Sequence, residues 1–115
     1  MKTISTRAAL AGVAVAMLAA APATADVKIG SLGAITGPIV SLVKEINLAE
    51  QAAIDEINAG GGINGDKAVI VFGDTGCNSQ TAVDAANKLV NIEQVVGIAG
   101  ALCSGATIPA ASNVA

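Results

Sequence analysis

The residues of this sequence able to do chemistry collect at three points: Asp74, Cys77, and the pair Cys103-Ser104. Ser104 follows the apolar run Val95-Val96-Gly97-Ile98-Ala99-Gly100-Ala101-Leu102 and precedes Gly105-Ala106-Thr107-Ile108-Pro109-Ala110, which can open a helix. A buried strand that turns into a helix leaves free backbone N–H groups at the turn, and these suit an anion. The turn lies at the strand's carboxyl end, where open α/β sheets bind ligands. Ser104 has two readings there. As an N-cap it satisfies one helix amide. As a ligand group it offers a hydroxyl beside free N–H groups, suited to a carboxylate.

Enzyme chemistry is hard to place. The sequence has no histidine, which excludes Ser–His and Cys–His nucleophiles and histidine metal sites. Asp74 ends a strand-like run, a position that can carry a catalytic acid, but a turn-capping Asp before Thr75-Gly76 is the simpler reading. Glu45, Glu50, Asp55 and Glu56 read as a solvated helix face. Gly60, Gly62 and Gly65 spell G-x-G-x-x-G. They follow a helix and open a strand, the reverse of the dinucleotide fingerprint, so no helix dipole backs them. No cofactor and no metal ion is expected.

The elements that must position these residues follow from periodicity. Val27 to Ala34 reads as a first strand, ending in Thr36-Gly37-Pro38. From Ile39, apolar residues recur at three- and four-residue steps (Leu42, Ile46, Ala49, Ala53, Ile57), widened by Val43 and Ile54. That is an amphipathic helix of about five turns. Asn64-Gly65 is a tight-turn pair, Ala68 to Phe72 a second strand, and Asn78 the N-cap of a second helix. That helix turns Ala82, Val83, Ala86, Leu89 and Val90 inward. Val95 to Ala99 is the third strand, and a third helix begins near Ser104. The order βαβαβα with short connections predicts a doubly wound α/β fold, a parallel sheet with helices on both faces. Right-handed crossovers give the strand order 2-1-3. In that order the loops carrying Cys77 and Cys103 flank the first strand and can meet across its end.

Composition narrows the class. With 53% hydrophobic and 13% charged residues the chain is too apolar for disorder. One Phe and no Trp or Tyr mean a core of Ala, Val, Ile and Leu. Some of that hydrophobicity is N-terminal: Lys2 and Arg7 precede an apolar stretch from Ala8 to Ala21, then Ala23-Thr24-Ala25. These are the parts of a secretory signal peptide spanning residues 1–25, with cleavage before Asp26. The stretch is shorter than the roughly twenty residues of a bilayer span. Residues 26–115 hold four basic and nine acidic residues, a formal charge of −5, which leaves no electrostatic footprint for nucleic acid. Export to an oxidising compartment makes a Cys77–Cys103 disulfide the expectation, with two buried free thiols as the alternative.

At these residues the chain resembles the periplasmic substrate-binding proteins of branched-chain amino acid ABC transporters. The resemblance spans almost all of residues 26–115 and rests on four stretches in order. They are Val27-Lys28-Ile29-Gly30 with Thr36-Gly37-Pro38; Ala53 through Gly65; Ala85-Ala86-Asn87-Lys88-Leu89-Val90; and Leu102 through Ala110. It implies two α/β lobes of the type I periplasmic binding fold, joined by a hinge and closing on an amino acid. It also implies a disulfide matching Cys77 and Cys103, and a serine matching Ser104 that binds the ligand's carboxylate, with Cys103 beside it. An aromatic residue after the first strand often lines the family's pocket. Leu42 stands at that position here, a departure that leaves the side-chain preference open. The implied function is capture of a branched-chain or related amino acid for import, in the periplasm, with delivery to a membrane permease and no catalysis. Such proteins run to several hundred residues, so residues 26–115 are expected to be the first part of the N-terminal lobe, in a truncated or partial chain. The alternative is a ligand-sensing or enzymatic domain on the same doubly wound fold.

N-terminal sequencing of exported protein is expected to begin at Asp26. An intact Met1 on membrane-bound protein would overturn the signal-peptide reading.

Overall fold

Every strand of the sheet is parallel, and β1 (Val27–Gly33) is hydrogen-bonded along both sides. It pairs with β2 (Ala68–Asp74) from Val27↔Ala68 through Gly33↔Asp74, and with β3 (Ile98–Gly100) from Gly30↔Ile98 through Leu32↔Gly100. The computed structural model describes residues 25–115; of the signal segment read at residues 1–25, all but Ala25 lies outside the described residues. The sheet order is β2-β1-β3, the doubly wound 2-1-3 order expected from the sequence. Three helices alternate with the strands: α1 (Val40–Ala59), α2 (Ser79–Asn91) and α3 (Ser104–Val114). Among the described residues no helix is long and apolar enough to cross a membrane.

Side chains alternate across β1, so the strand serves two layers. Leu32 points into a core formed with Ala82, Ala86 and Leu89 of α2 and Ala106 and Ala110 of α3. The alanines sit four residues apart on each helix, on one face, and let α2 and α3 pack closely. Ser31, the next residue back, points to the opposite layer, where its hydroxyl donates to Glu50 of α1 at 2.7 Å. Val43 and Ile54 bury on this side.

The buried line of α1 differs from the expected one. Leu42 is 56% exposed, whereas Val43 is 1% exposed and Ile54 is buried. The helix is rotated by about one residue from the apolar stripe because polar groups share the buried side. Glu50 bonds Ser31 and is not part of a solvated face. Asn58 clasps the start of β2: its Nδ2 donates to Ala68 O at 2.8 Å, and Ala68 N donates to its Oδ1 at 2.7 Å. A periodicity that counts only apolar residues misses such a face.

Of three further local expectations, the turn and the helix cap are met and the bounds of the third strand are corrected. Asn64 and Gly65 have φ of 53° and 89°, and Ile63 and Asp66 exchange backbone hydrogen bonds at 2.8 and 3.0 Å. This is a two-residue turn with positive φ at both centres, so the glycine-rich stretch closes a turn. Asn78 caps α2, accepting from Gln80 N and Thr81 N, though Val90 at the far end of that helix is exposed. The third strand is shorter and later than Val95–Ala99. Val95 N donates to Leu89 O at 3.1 Å, tying it to the exit of α2, while Val96 N already donates to Lys28 O at 2.8 Å.

Cys77 and Cys103 are joined in a disulfide, with their Cα atoms 5.4 Å apart across 26 positions of sequence. The pairing expectation is met, and the free-thiol alternative is set aside. Closing a loop of this length removes chain entropy from the unfolded state, worth roughly 3.5 kcal/mol in the chain-entropy model. Reduction, or Cys77→Ser with Cys103→Ser, is expected to lower the free energy of unfolding by about that amount. Denaturant titration with and without reductant measures it; coincident midpoints would show that the sheet edge holds without the bridge.

Candidate functional site

Parallel pairing places three strand ends at one edge of the sheet, followed by three loops: residues 34–39 after β1, 75–78 after β2 and 101–103 after β3. β1 is central, so its loop leaves the sheet between the other two, which meet across the end of β1. The β2 loop is the anchored one. Thr75 is fully buried, its N donates to Gly33 O at 2.8 Å, and its Oγ1 accepts from Cys77 N at 3.3 Å. The disulfide then runs from Cys77 to the β3 loop.

Asp74 joins the first two loops. Its Oδ1 accepts from Thr36 N at 3.1 Å and Gly76 N at 3.0 Å, and its Oδ2 accepts from Thr36 Oγ1 at 2.6 Å. Desolvation pushes its pKa upward, but the hydrogen bonds from Thr36 and Gly76 outweigh it and hold the carboxyl below the ordinary aspartate value. Folding therefore favours the ionised form. Its contribution is complete above the unfolded pKa and is lost as the pH falls through the lower folded value. The turn-capping reading of Asp74 stands, with Thr36 as a partner that sequence reasoning missed. The register Gly33↔Asp74 is the signal that sets the two side by side.

The β3 loop has unusual backbone. Ala101 and Leu102 have φ of 91° and 55°, left-handed values that residues with a side chain adopt rarely and at a cost on the order of 1–3 kcal/mol each. Ala101 N donates to Leu32 O at 2.6 Å, which with the Cys103 bridge holds the segment in this form. Cys103, not Ser104, is the N-cap of α3; Ser104 is its first helical residue. Cys103 has extended backbone (φ −81°, ψ 118°), and its carbonyl accepts from Ala106 N, Thr107 N and Thr107 Oγ1 at 2.9, 2.9 and 3.0 Å. No side chain caps the helix. Ser104 therefore keeps an exposed hydroxyl, and the amides of Ser104 and Gly105 have no hydrogen-bond partner among the described residues. These are the donors that a carboxylate needs at a helix start.

Cys103 and Ser104 are thus adjacent at the head of α3. Leu42 stands in the first turn of α1, beyond the β1 loop and not within it. Two grooves are also present, the first of them reaching Ala101 of the β3 loop and Thr107 of α3. One of about 530 Å³ follows the outer edge of β3 beneath Ala110 and Val114, and one of about 420 Å³ runs between α1 and Phe72 of β2.

Comparison with known proteins assigns this arrangement. The model of a periplasmic binding protein family matches residues 26–115. A Leu/Ile/Val-binding protein homolog from Brucella melitensis is 44% identical over 102 residues, covering 89% of this chain and 25% of the relative. A Leu/Ile/Val/Thr-binding protein from Salmonella typhimurium is 41% identical over 85 residues, covering 74% of this chain and 23% of the relative. Among solved structures, the branched-chain amino acid transporter substrate binding protein of Streptococcus pneumoniae, in complex with isoleucine, superposes with a TM-score of 0.72. It is 31% identical and covers 77% of this chain and 26% of that one. The chain spans about a quarter of the length of the curated relatives it matches. With its doubly wound sheet, bridged loops and matched residues 26–115, the chain belongs to the periplasmic binding protein family.

Proposed function

We propose that residues 26–115 form the first part of the N-terminal lobe of a periplasmic solute-binding component of an ABC importer. The protein captures a branched-chain or related aliphatic amino acid and delivers it to a membrane permease, acting by binding and not by catalysis. The observation that carries this reading is the head of α3. Ser104 presents an uncommitted hydroxyl beside two unpartnered amides, on a loop held by a disulfide. The names of the relatives support the ligand class. Cys103 fixes the turn beside the ligand, and Leu42 contributes an apolar rim. The family match begins at Asp26, the residue after the expected signal cleavage, which supports export.

The carboxylate is received by donors whose positions are set before binding. Pre-organisation reduces the ordering cost of capture, and a charged acceptor strengthens each hydrogen bond. In the complete protein, Ser104→Ala is expected to remove one charge-assisted hydrogen bond, on the order of 1.5–3 kcal/mol, or roughly tenfold to a hundredfold in affinity. Calorimetry with leucine, isoleucine and valine checks this. Unchanged affinity for every amino acid that binds would leave Ser104 without a ligand role.

Residues 26–115 by themselves are expected to bind these amino acids no better than millimolar. Two or three hydrogen bonds made in competition with water, about 1 kcal/mol each, fall short of the roughly 4 kcal/mol that millimolar affinity needs. A micromolar dissociation constant from a monomer of this segment would show the site to be complete without a second lobe.

A further inference from the structure

We propose that Thr36 and Asp74 are positioning residues of this site: their hydrogen bonds hold the β1 loop against the β2 loop, which the disulfide ties to the residue preceding α3. The proposal rests on the reading of Ser104 as a carboxylate-binding group and adds to it the device that sets the neighbouring loop.

The β1 loop has little else to hold it. Residues 35–38 make no backbone–backbone hydrogen bond among the described residues. Thr36 directs both its N–H and its hydroxyl to Asp74. The loop is exposed from Ile35 through Pro38, so packing does not fix it either. Asp74, by contrast, ends β2 in register with Gly33 and is followed by the buried Thr75, so it is a fixed post. The two loops touch through their backbones. Gly37 has φ of 101°, which residues with a side chain adopt rarely, and a Cβ there would stand a tight 3.2 Å from Gly76 O.

The carboxylate of Asp74 accepts three hydrogen bonds in this contact. Oδ1 takes two amides and Oδ2 takes the Thr36 hydroxyl. Its work is geometric. The chain of ties runs Thr36, Asp74, Cys77, Cys103, Ser104, so the first loop and the head of α3 share one frame. Releasing Thr36 leaves the frame of α3 intact but lets the β1 loop wander, and binding must then pay to order it.

The test compares Thr36→Val, which keeps the shape and the backbone amide but loses the hydroxyl, with Thr36→Ser, which restores it. Both are made in the complete protein and titrated with leucine, isoleucine and valine by calorimetry. Amide hydrogen exchange at Thr36 and Gly76 is followed without ligand, together with the unfolding midpoint. Thr36→Val is expected to weaken every amino acid that binds by roughly three- to tenfold and to speed exchange at both amides. Thr36→Ser should match the wild type in affinity, in exchange and in unfolding midpoint. Wild-type affinity in Thr36→Val, or equal loss in both variants, would overturn the positioning role while leaving the Ser104 reading standing. A wild-type protein that binds none of the three amino acids would overturn the Ser104 reading and the positioning role with it.

Discussion

Parallel pairing of β1 with both neighbours is the constraint on which the rest depends. A parallel strand cannot return through a tight turn, so each connection is a helix and every strand leaves the sheet at the same edge. Three loops therefore crowd one edge, and their residues meet although they are far apart in sequence. The Cys77–Cys103 bridge, the Asp74–Thr36 contact and the exposed start of α3 are consequences of that crowding. The register makes it specific. Gly33 opposite Asp74 sets the ends of β1 and β2 level, which brings residue 36 within reach of the carboxylate.

The core beneath this edge is small in side-chain volume. Apart from Leu32, Val43, Ile54 and Leu89, its buried apolar residues are alanines. Alanine buries little surface but allows close approach of backbones, and α2 and α3 use it that way. Polar ties supply specificity that large side chains do not. The Asn58 amide bonds both the N–H and the C=O of Ala68, fixing α1 against the first residue of β2. Ser31 and Glu50 do the same nearer the middle of that layer. Buried polar groups of this kind help only while they are paired, and among the described residues no buried side-chain polar atom is left without a partner.

The site itself is built from strain and fixation more than from a cavity. Ala101 and Leu102 hold left-handed backbone immediately before the bridged Cys103. Such conformations persist only where surrounding contacts over-determine them. Here the hydrogen bond to Leu32 O and the disulfide do so. The outcome is a helix start with no side-chain cap, whose first two amides have no hydrogen-bond partner among the described residues.

Order of elements, parallel topology, the turn at Asn64-Gly65 and the pairing of the two cysteines were legible in residues 26–115. Each depends on local pattern: apolar period, turn chemistry, helix caps, and the right-handed crossover that leaves few topologies. Three features were decided only by tertiary structure. The buried line of α1 follows Asn58 and Glu50, whose partners are backbone and hydroxyl groups on other elements and have no signature in a hydropathy period. The cap of α3 falls on Cys103 because the bridge and the left-handed residues before it set where helical backbone can begin, overriding the preference for Ser104. Thr36 gained its role from a strand register that joins positions 38 residues apart. Local sequence determines which elements form. Which polar group meets which is decided only when those elements stack, because a hydrogen bond depends on distances of a few ångströms that no spacing along the chain encodes.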